Sequence, residues 1–331
     1  MDRPFKVLFC GHHFPETFSL GKEALVKYGH NNIIMKQCSR EDLRTEIVDA
    51  DVVVPLMTKI GAREIEAGKN LKMIMQYFVG LEGVDVPKAT AENIWVCHTT
   101  SEATGNAQSV AEHAIFLAIS LMRNTTAMKQ SLLTGQLGYP MGKTFYKSTA
   151  IIYGYGGLGY QIKHRLEAFG MNLIVVSDDH PELHGCVERP HEEFPGVTYI
   201  KVSEMATTPG VKEADVVFLC CAQNAENMGF VNNQFISQLK PGAFLVNIAR
   251  GGLLNYRDVQ DALDSGALGG VGLDVYHTEP FPLNDPFLTH PKVVATPHIA
   301  GITEYSLHSM AEQFALNIDY LLKGENPIGN V

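Results

Sequence analysis

The chain lacks a run of about 18 uninterrupted apolar residues, the length a membrane-spanning helix needs. It has no excess of basic charge either: 26 Lys and Arg stand against 36 Asp and Glu, a net charge of −10. That balance argues against nucleic acid or an anionic membrane surface as partner, yet a small anionic substrate held by one local arginine stays open. Cysteine is sparse and unpatterned, with six in 331 residues, so a disulfide scaffold is not expected and the thiols read as buried and reduced. Cys220 and Cys221 are neighbours in a strand-like run and so face opposite ways, which makes them a poor redox pair. Low-complexity segments and short repeats are missing. No leader-like stretch precedes the strand-like run Phe5–Cys10, so a cytoplasmic protein is expected.

What is present is the composition of an ordinary globular protein, 45% apolar and 19% charged, at a length suggesting about two domains. Strand-like and helix-like segments alternate throughout, the pattern of an α/β fold with parallel sheets. A first series of strands is expected at Phe5–Cys10, Asn32–Met35, Val52–Pro55, Met73–Tyr77 and Ile94–Cys97. A second is expected at Thr149–Tyr153, Asn172–Ser177, Val197–Ile200, Asp215–Cys221, Ala243–Ile248, Gly270–Val275 and Lys292–Thr296. Between them a polar hinge, Thr99–Gly105, leads into a helix whose start reads as a capping box of Ser109 and Glu112. Lys129–Lys147 has no clear periodicity and reads as a surface excursion. After His298 one more helix carries Leu307, Met310, Phe314, Ile318, Leu321 and Leu322 on one stripe and ends near Gly324. Such a stripe needs a partner, and a return to the first domain is expected, which makes that domain discontinuous.

Gly154-Tyr155-Gly156-Gly157-Leu158-Gly159 follows an expected strand and opens an expected helix. In that setting each spaced glycine serves a separate end. The first allows a tight turn, the second the close approach of a pyrophosphate, and the third close helix–strand packing. The helix start adds free amides and partial positive charge. The next strand ends in Ser177-Asp178, where an acid normally meets the adenosine ribose, and no arginine immediately follows. NAD is favoured over NADP. His180, His184, Cys186 and His191 match no established ligand spacing, and no metal is expected.

Three later segments each end an expected strand: Asn247-Ile248-Ala249-Arg250-Gly251-Gly252, Gly272-Leu273-Asp274 continuing to Glu279-Pro280, and Thr296-Pro297-His298-Ile299-Ala300-Gly301. They offer one guanidinium, one carboxylate and one imidazole. Reduction of a 2-keto acid needs those groups. Arg250 can grip a carboxylate through two bonds, His298 can give a proton near neutral pH, and Glu279 can favour the imidazolium and fix its tautomer.

With these motifs the chain resembles the D-isomer-specific 2-hydroxyacid dehydrogenases, a family that includes glyoxylate/hydroxypyruvate reductases, D-3-phosphoglycerate dehydrogenases and formate dehydrogenases. The resemblance implies two Rossmann-like domains, a discontinuous flavodoxin-like substrate domain (1–103 and 299–331) and a doubly wound dinucleotide-binding domain (104–298), usually in a homodimer. It implies an oxidoreductase with Arg250, Glu279 and His298 catalytic. Cofactor contacts are implied at Gly154, Tyr155, Gly156, Gly157, Leu158, Gly159, Ser177, Asp178, Cys221, Ala249 and Asp274, the last at the nicotinamide carboxamide. In Val79-Gly80-Leu81-Glu82-Gly83-Val84-Asp85, Val79 and Gly80 correspond to the family's substrate-carboxylate amides. The chain departs from the family at Ser177, and Gly135-Gln136-Leu137 lacks the usual tryptophan. Glu279 stands where formate dehydrogenases carry glutamine, against formate as substrate. Met57 and Phe78 fit the pocket or the core equally. An NAD(H)-sensing interaction protein, like the related corepressors, is the alternative.

Overall fold

The computed structural model describes residues 3–100, 103–178 and 196–331. Among these, twelve strands form two parallel sheets. The first contains β1 (Lys6–Cys10), β2 (Ile34–Cys38), β3 (Val52–Val54), β4 (Met73–Gln76) and β5 (Trp95–His98), in the order β2-β1-β3-β4-β5. The second contains β6 (Thr149–Tyr153), β7 (Asn172–Val176), β8 (Val197–Ile200), β9 (Val216–Leu219), β10 (Ala243–Asn247), β11 (Leu268–Leu273) and β12 (Val293–Ala295), in the order β12-β11-β10-β9-β6-β7-β8. The fold is α/β, with the five- and seven-stranded series that the sequence pattern suggests.

Alternation along each strand explains why these runs are apolar on both sides. In β1, Val7 and Phe9 enter one core and Leu8 and Cys10 the other. In β6, Ile151 faces one core while Ala150 and Ile152 face the opposite one.

By internal contacts the chain divides into Met1–Asn106 with Ile302–Val331, and Ala107–Gly301. The family resemblance puts the changeovers at 103/104 and 298/299. The last helix, Glu304–Lys323, starts where the Thr303 hydroxyl accepts from the Ser306 amide at 3.2 Å, and ends on Gly324 at φ 74°. Its Met310, Phe314 and Ile318 are buried in the first unit's core, with the Phe314 ring 5.5 Å from Phe9.

Two local expectations are corrected. The helix expected to begin at Ser109 runs Asn106–Arg123. Ser109 is therefore an interior, buried residue, and Glu112 pairs with Arg165 at 3.1 Å instead of closing a capping box. Lys129–Lys147 is not irregular from its start. Thr125–Thr134 is helical, with the Asn124 side chain accepting from the Ala127 amide. Leu132 and Leu133 on it are 84% and 74% exposed, so no buried stripe marks it in the sequence. The histidine and cysteine group at 180–191 lies outside the described residues. No helix of the described residues is long and apolar enough to cross a membrane.

Candidate active site

In the seven-stranded sheet the strand order reverses between β6 and β9, and open α/β sheets take ligands outside the carboxyl ends of strands at such a point. Because the pairings are parallel, every strand of this sheet ends at the same edge. That edge carries the glycine turn after β6, Ser177-Asp178 after β7, Cys220-Cys221 after β9, Arg250 beyond β10, Asp274 after β11 and His298 beyond β12.

The glycine turn bears the marks of a phosphate cradle. Gly154 has φ 97°, and a Cβ there would lie 2.5 Å from the Cys221 amide nitrogen. At Gly159 a Cβ would lie 2.4 Å from the Gly154 carbonyl oxygen, which is the helix–strand contact. At Gly156, the residue before the helix Gly157–Ala168, a Cβ would meet nothing within 4 Å. Space and amides thus coincide where a pyrophosphate would sit. The Tyr155 side chain is buried and that of Leu158 is half-buried against the same core, so both offer a ligand chiefly their backbone. Ser177 is half-buried, and Asp178 is exposed, with one oxygen accepting from the Val202 amide at 3.0 Å.

The turn after β10 is built by Asn247. Its side-chain oxygen accepts from the Ala249 amide at 3.2 Å, and its amide group donates to the Arg250 carbonyl at 2.8 Å. Gly251 is required by contact, because a Cβ there would lie 1.9 Å from the Tyr276 carbonyl carbon. The turns after β10 and β11 are thereby pressed together. Arg250 donates to its neighbour's carbonyl, that of Ala249, at 2.7 Å.

Glu279 uses both carboxylate oxygens. One accepts from the Tyr276 amide at 2.9 Å and the other meets Nδ1 of His298 at 2.6 Å. Burial pushes the Glu279 pKa up. The bond and charge of His298, the Tyr276 amide and the Arg250 charge outweigh it, leaving the carboxyl below its ordinary value. With Nδ1 engaged, Nε2 is the ring nitrogen that can exchange a proton with a ligand.

His298 sits at φ 55°, in the left-handed region. Asp274, buried at 1% exposure, holds the chain on both sides of it. One Asp274 oxygen accepts from the Ile299 amide at 2.9 Å and the Thr296 hydroxyl at 2.6 Å, and the other accepts from the Ala300 amide at 2.8 Å. Nε2 of His113, on the helix Asn106–Arg123, lies 2.8 Å from the Thr296 hydroxyl. Burial pulls the His113 pKa down, against the nearby Asp274 charge that raises it. A neutral imidazole donating to Thr296, which donates to Asp274, satisfies each group. Sequence reasoning missed His113, Thr296 and the Tyr276 hydroxyl, which donates to the Thr296 carbonyl at 2.9 Å. The available signal was a histidine falling between Val110 and Leu117 on an otherwise apolar helix face.

Val79 and Gly80 belong to the other unit, beyond β4. Their amides donate to no protein group among the described residues. Asp85, later in the same segment, caps the helix Val86–Ala91 through the Lys88 amide at 3.1 Å. Met57 is 38% exposed, whereas Phe78 packs against the first unit's core.

Comparison with known proteins gives this geometry its context. Residues 115–300 match the D-isomer specific 2-hydroxyacid dehydrogenase, NAD binding domain. The chain belongs to the D-isomer-specific 2-hydroxyacid dehydrogenase family. It is 30% identical to a glyoxylate reductase of Thermofilum pendens, over 87% of this chain and 83% of that protein. It is 31% identical to a hydroxypyruvate reductase of Thermotoga maritima, over 86% of this chain and 90% of that one. The crystal structure of the TT0316 protein from Thermus thermophilus superposes with a TM-score of 0.82 at 25% identity, covering 99% of this chain and 100% of that one. The family's matched segment falls within the unit that holds the glycine turn, Arg250, Glu279 and His298.

Proposed function

We propose that this dehydrogenase reduces a small 2-keto acid to the D-2-hydroxy acid, and runs the reverse oxidation, with NAD or NADP as coenzyme and NAD favoured. The observation that carries the reading is the 2.6 Å bond between His298 and Glu279, at the sheet edge that also carries the glycine turn.

Gly154, Gly156, Gly157 and Gly159 would hold the pyrophosphate. The backbone at Tyr155 and Leu158, together with Ser177, Asp178, Cys221, Ala249 and Asp274, would border the rest of the dinucleotide. A reduced nicotinamide supplies the hydride to the substrate's carbonyl carbon. Arg250 would bind the substrate carboxylate and draw charge from the carbonyl oxygen. His298 would pass a proton from Nε2 to that oxygen, with Glu279 holding the ring through Nδ1. The Val79 and Gly80 amides would take the remaining carboxylate charge. Ala107–Gly301 is then the dinucleotide-binding domain, and the discontinuous unit is the substrate domain.

Two of the relatives named above are reductases, which favours catalysis over an NAD(H)-sensing interaction protein. A homodimer is part of the reading, supported by the exposed Leu132, Leu133, Leu137, Tyr139 and Met141, and so is a cytoplasmic location. Light scattering reads the first. The decisive experiment is a panel of 2-keto acids assayed with NADH and with NADPH. Turnover of at least one substrate with one coenzyme is expected; tight NADH binding without turnover across the panel would sink the proposal.

A further inference from the structure

Cys10 and Cys38 are in register on adjacent strands, β1 and β2, and the Gly11 amide just beyond donates to the Cys38 carbonyl at 2.8 Å. Both side chains enter the same core, on the face that also holds Leu8 and Leu43. Neighbouring strands lie about 4.8 Å apart, inside the Cα separation of roughly 4.4–6.8 Å that a disulfide spans. Both thiols are buried, Cys10 at 0% and Cys38 at 5% exposure.

The other described cysteines differ. Burial pushes the Cys97 thiol up to about 12 and the Cys221 thiol up to about 11, and Cys220 is raised as well. Cys38 alone among them is drawn down, by the neighbouring Cys10 thiol, against its own burial. The neighbouring Cys38 thiol, then burial, raises Cys10. Cys38, on the edge strand and the less buried of the two, is the sulfur an oxidant reaches first, and its downward shift favours it as the attacking thiol.

A groove of about 390 Å³ opens beside these strand ends. Its lining includes Leu43, from the thiols' own core cluster, and Thr58, whose hydroxyl donates to the Cys10 carbonyl at 3.2 Å. Arg40, Arg44 and Lys59 line it against Glu41 and Glu64, and Arg44 is bound to Glu64 at 2.9 Å. The remaining balance suits a small anionic ligand. β2 is an edge strand, so the approach to Cys38 is not covered by a further strand.

We propose that Cys10 and Cys38 form a reversible redox pair, oxidised by a small anionic disulfide that enters through the Arg40–Lys59 groove. The Cys38 thiolate attacks one sulfur of the small disulfide. A mixed disulfide forms and one small thiolate leaves. Cys10 then loses its proton to solvent and attacks the Cys38 sulfur, releasing the second small thiolate and closing the Cys10–Cys38 bond. Two protein thiols are oxidised and one disulfide is reduced to two thiols, so electrons balance.

The test uses the full-length protein equilibrated with glutathione disulfide, then alkylated and mapped by peptide mass. The map is independent of whether the enzyme turns over a keto acid, so it separates this inference from the proposed function. Linked peptides containing Cys10 and Cys38, reopened by dithiothreitol, are expected. Cys10→Ser should leave Cys38 carrying one glutathione. Arg40→Glu with Lys59→Glu should slow oxidation several-fold by glutathione disulfide but not by neutral hydroxyethyl disulfide. Alkylation of both residues after treatment with excess glutathione disulfide would overturn the proposal, as would modification confined to Cys186. Equal slowing by the charge reversals with both oxidants would overturn the role given to the groove.

Discussion

Nδ1 of His298 and a carboxylate oxygen of Glu279 lie 2.6 Å apart, on segments that follow the neighbouring strands β12 and β11. The bond joins a potential proton donor to a carboxylate whose pKa burial alone would push up. Replacing Glu279 by Gln should lower kcat for keto-acid reduction by about 10²-fold or more. NADH affinity should be unchanged. Steady-state kinetics with fluorescence titration of NADH checks both.

The lowered Glu279 pKa also gives a sign for stability against pH. A carboxyl depressed in the folded state contributes stability above its unfolded value, about 4.3, and loses it as pH falls through the folded value. The melting temperature of Glu279→Gln should therefore lie below wild type at pH 6 and converge on it as the pH falls through the folded value, below the unfolded one. A gap that stayed constant with pH would contradict the assignment.

His298 combines a chemical role with a left-handed backbone. Asparagine tolerates that conformation and a β-branched residue does not. His298→Asn should lose turnover by about 10²-fold or more and, at pH 6, melt below wild type because it gives up the Glu279 bond. His298→Val should lose turnover too and a further roughly 1–2 kcal/mol of stability from the backbone. Urea denaturation of the pair separates the two contributions.

The glycines divide by what surrounds them. Gly159→Ala forces a methyl to within 2.4 Å of a carbonyl oxygen, so loss of stability is expected before any loss of ligand. Gly156→Ala meets no protein atom within 4 Å, at an ordinary φ of −93°. It should melt like wild type while binding NADH about tenfold more weakly, because the methyl occupies the pyrophosphate's space. Calorimetry and NADH titration on both variants test this contrast.

Asp274 accepts three bonds around His298. Asp274→Ala leaves two backbone amides and a hydroxyl without that acceptor, and a cost of roughly 2–4 kcal/mol is expected. His113→Phe should have a smaller effect on stability and still lower kcat, since it reaches His298 only through Thr296 and Asp274. Denaturation midpoints set against kcat for the two variants give the check.

The sheets were legible because parallel strands covered on both faces read as short, dense apolar runs, as in Val216–Leu219 and Ala243–Asn247. Arg250, Glu279 and His298 were legible because strand ends of one sheet share an edge, so sequence order alone places them together. Helix starts were less so. Ser109 and Glu112 have the spacing of a capping box, yet Gly105 ends the preceding segment earlier and leaves both inside the helix. Thr125–Thr134 was hidden because its leucines face outward. The link from His113 through Thr296 to Asp274 joins residues far apart in the chain, and no local pattern signals a contact of that kind.

The first unit receives its final helix, Glu304–Lys323, only after the whole of Ala107–Gly301 has intervened. Phe9 and Leu25 lack their packing partners Phe314 and Ile318 until residues 304–323 have left the ribosome. The contiguous unit meets no such delay and is free to fold during synthesis. Arrested nascent chains stopped short of residue 304 should therefore carry a protease-resistant nucleotide half and an open, chaperone-dependent amino-terminal half.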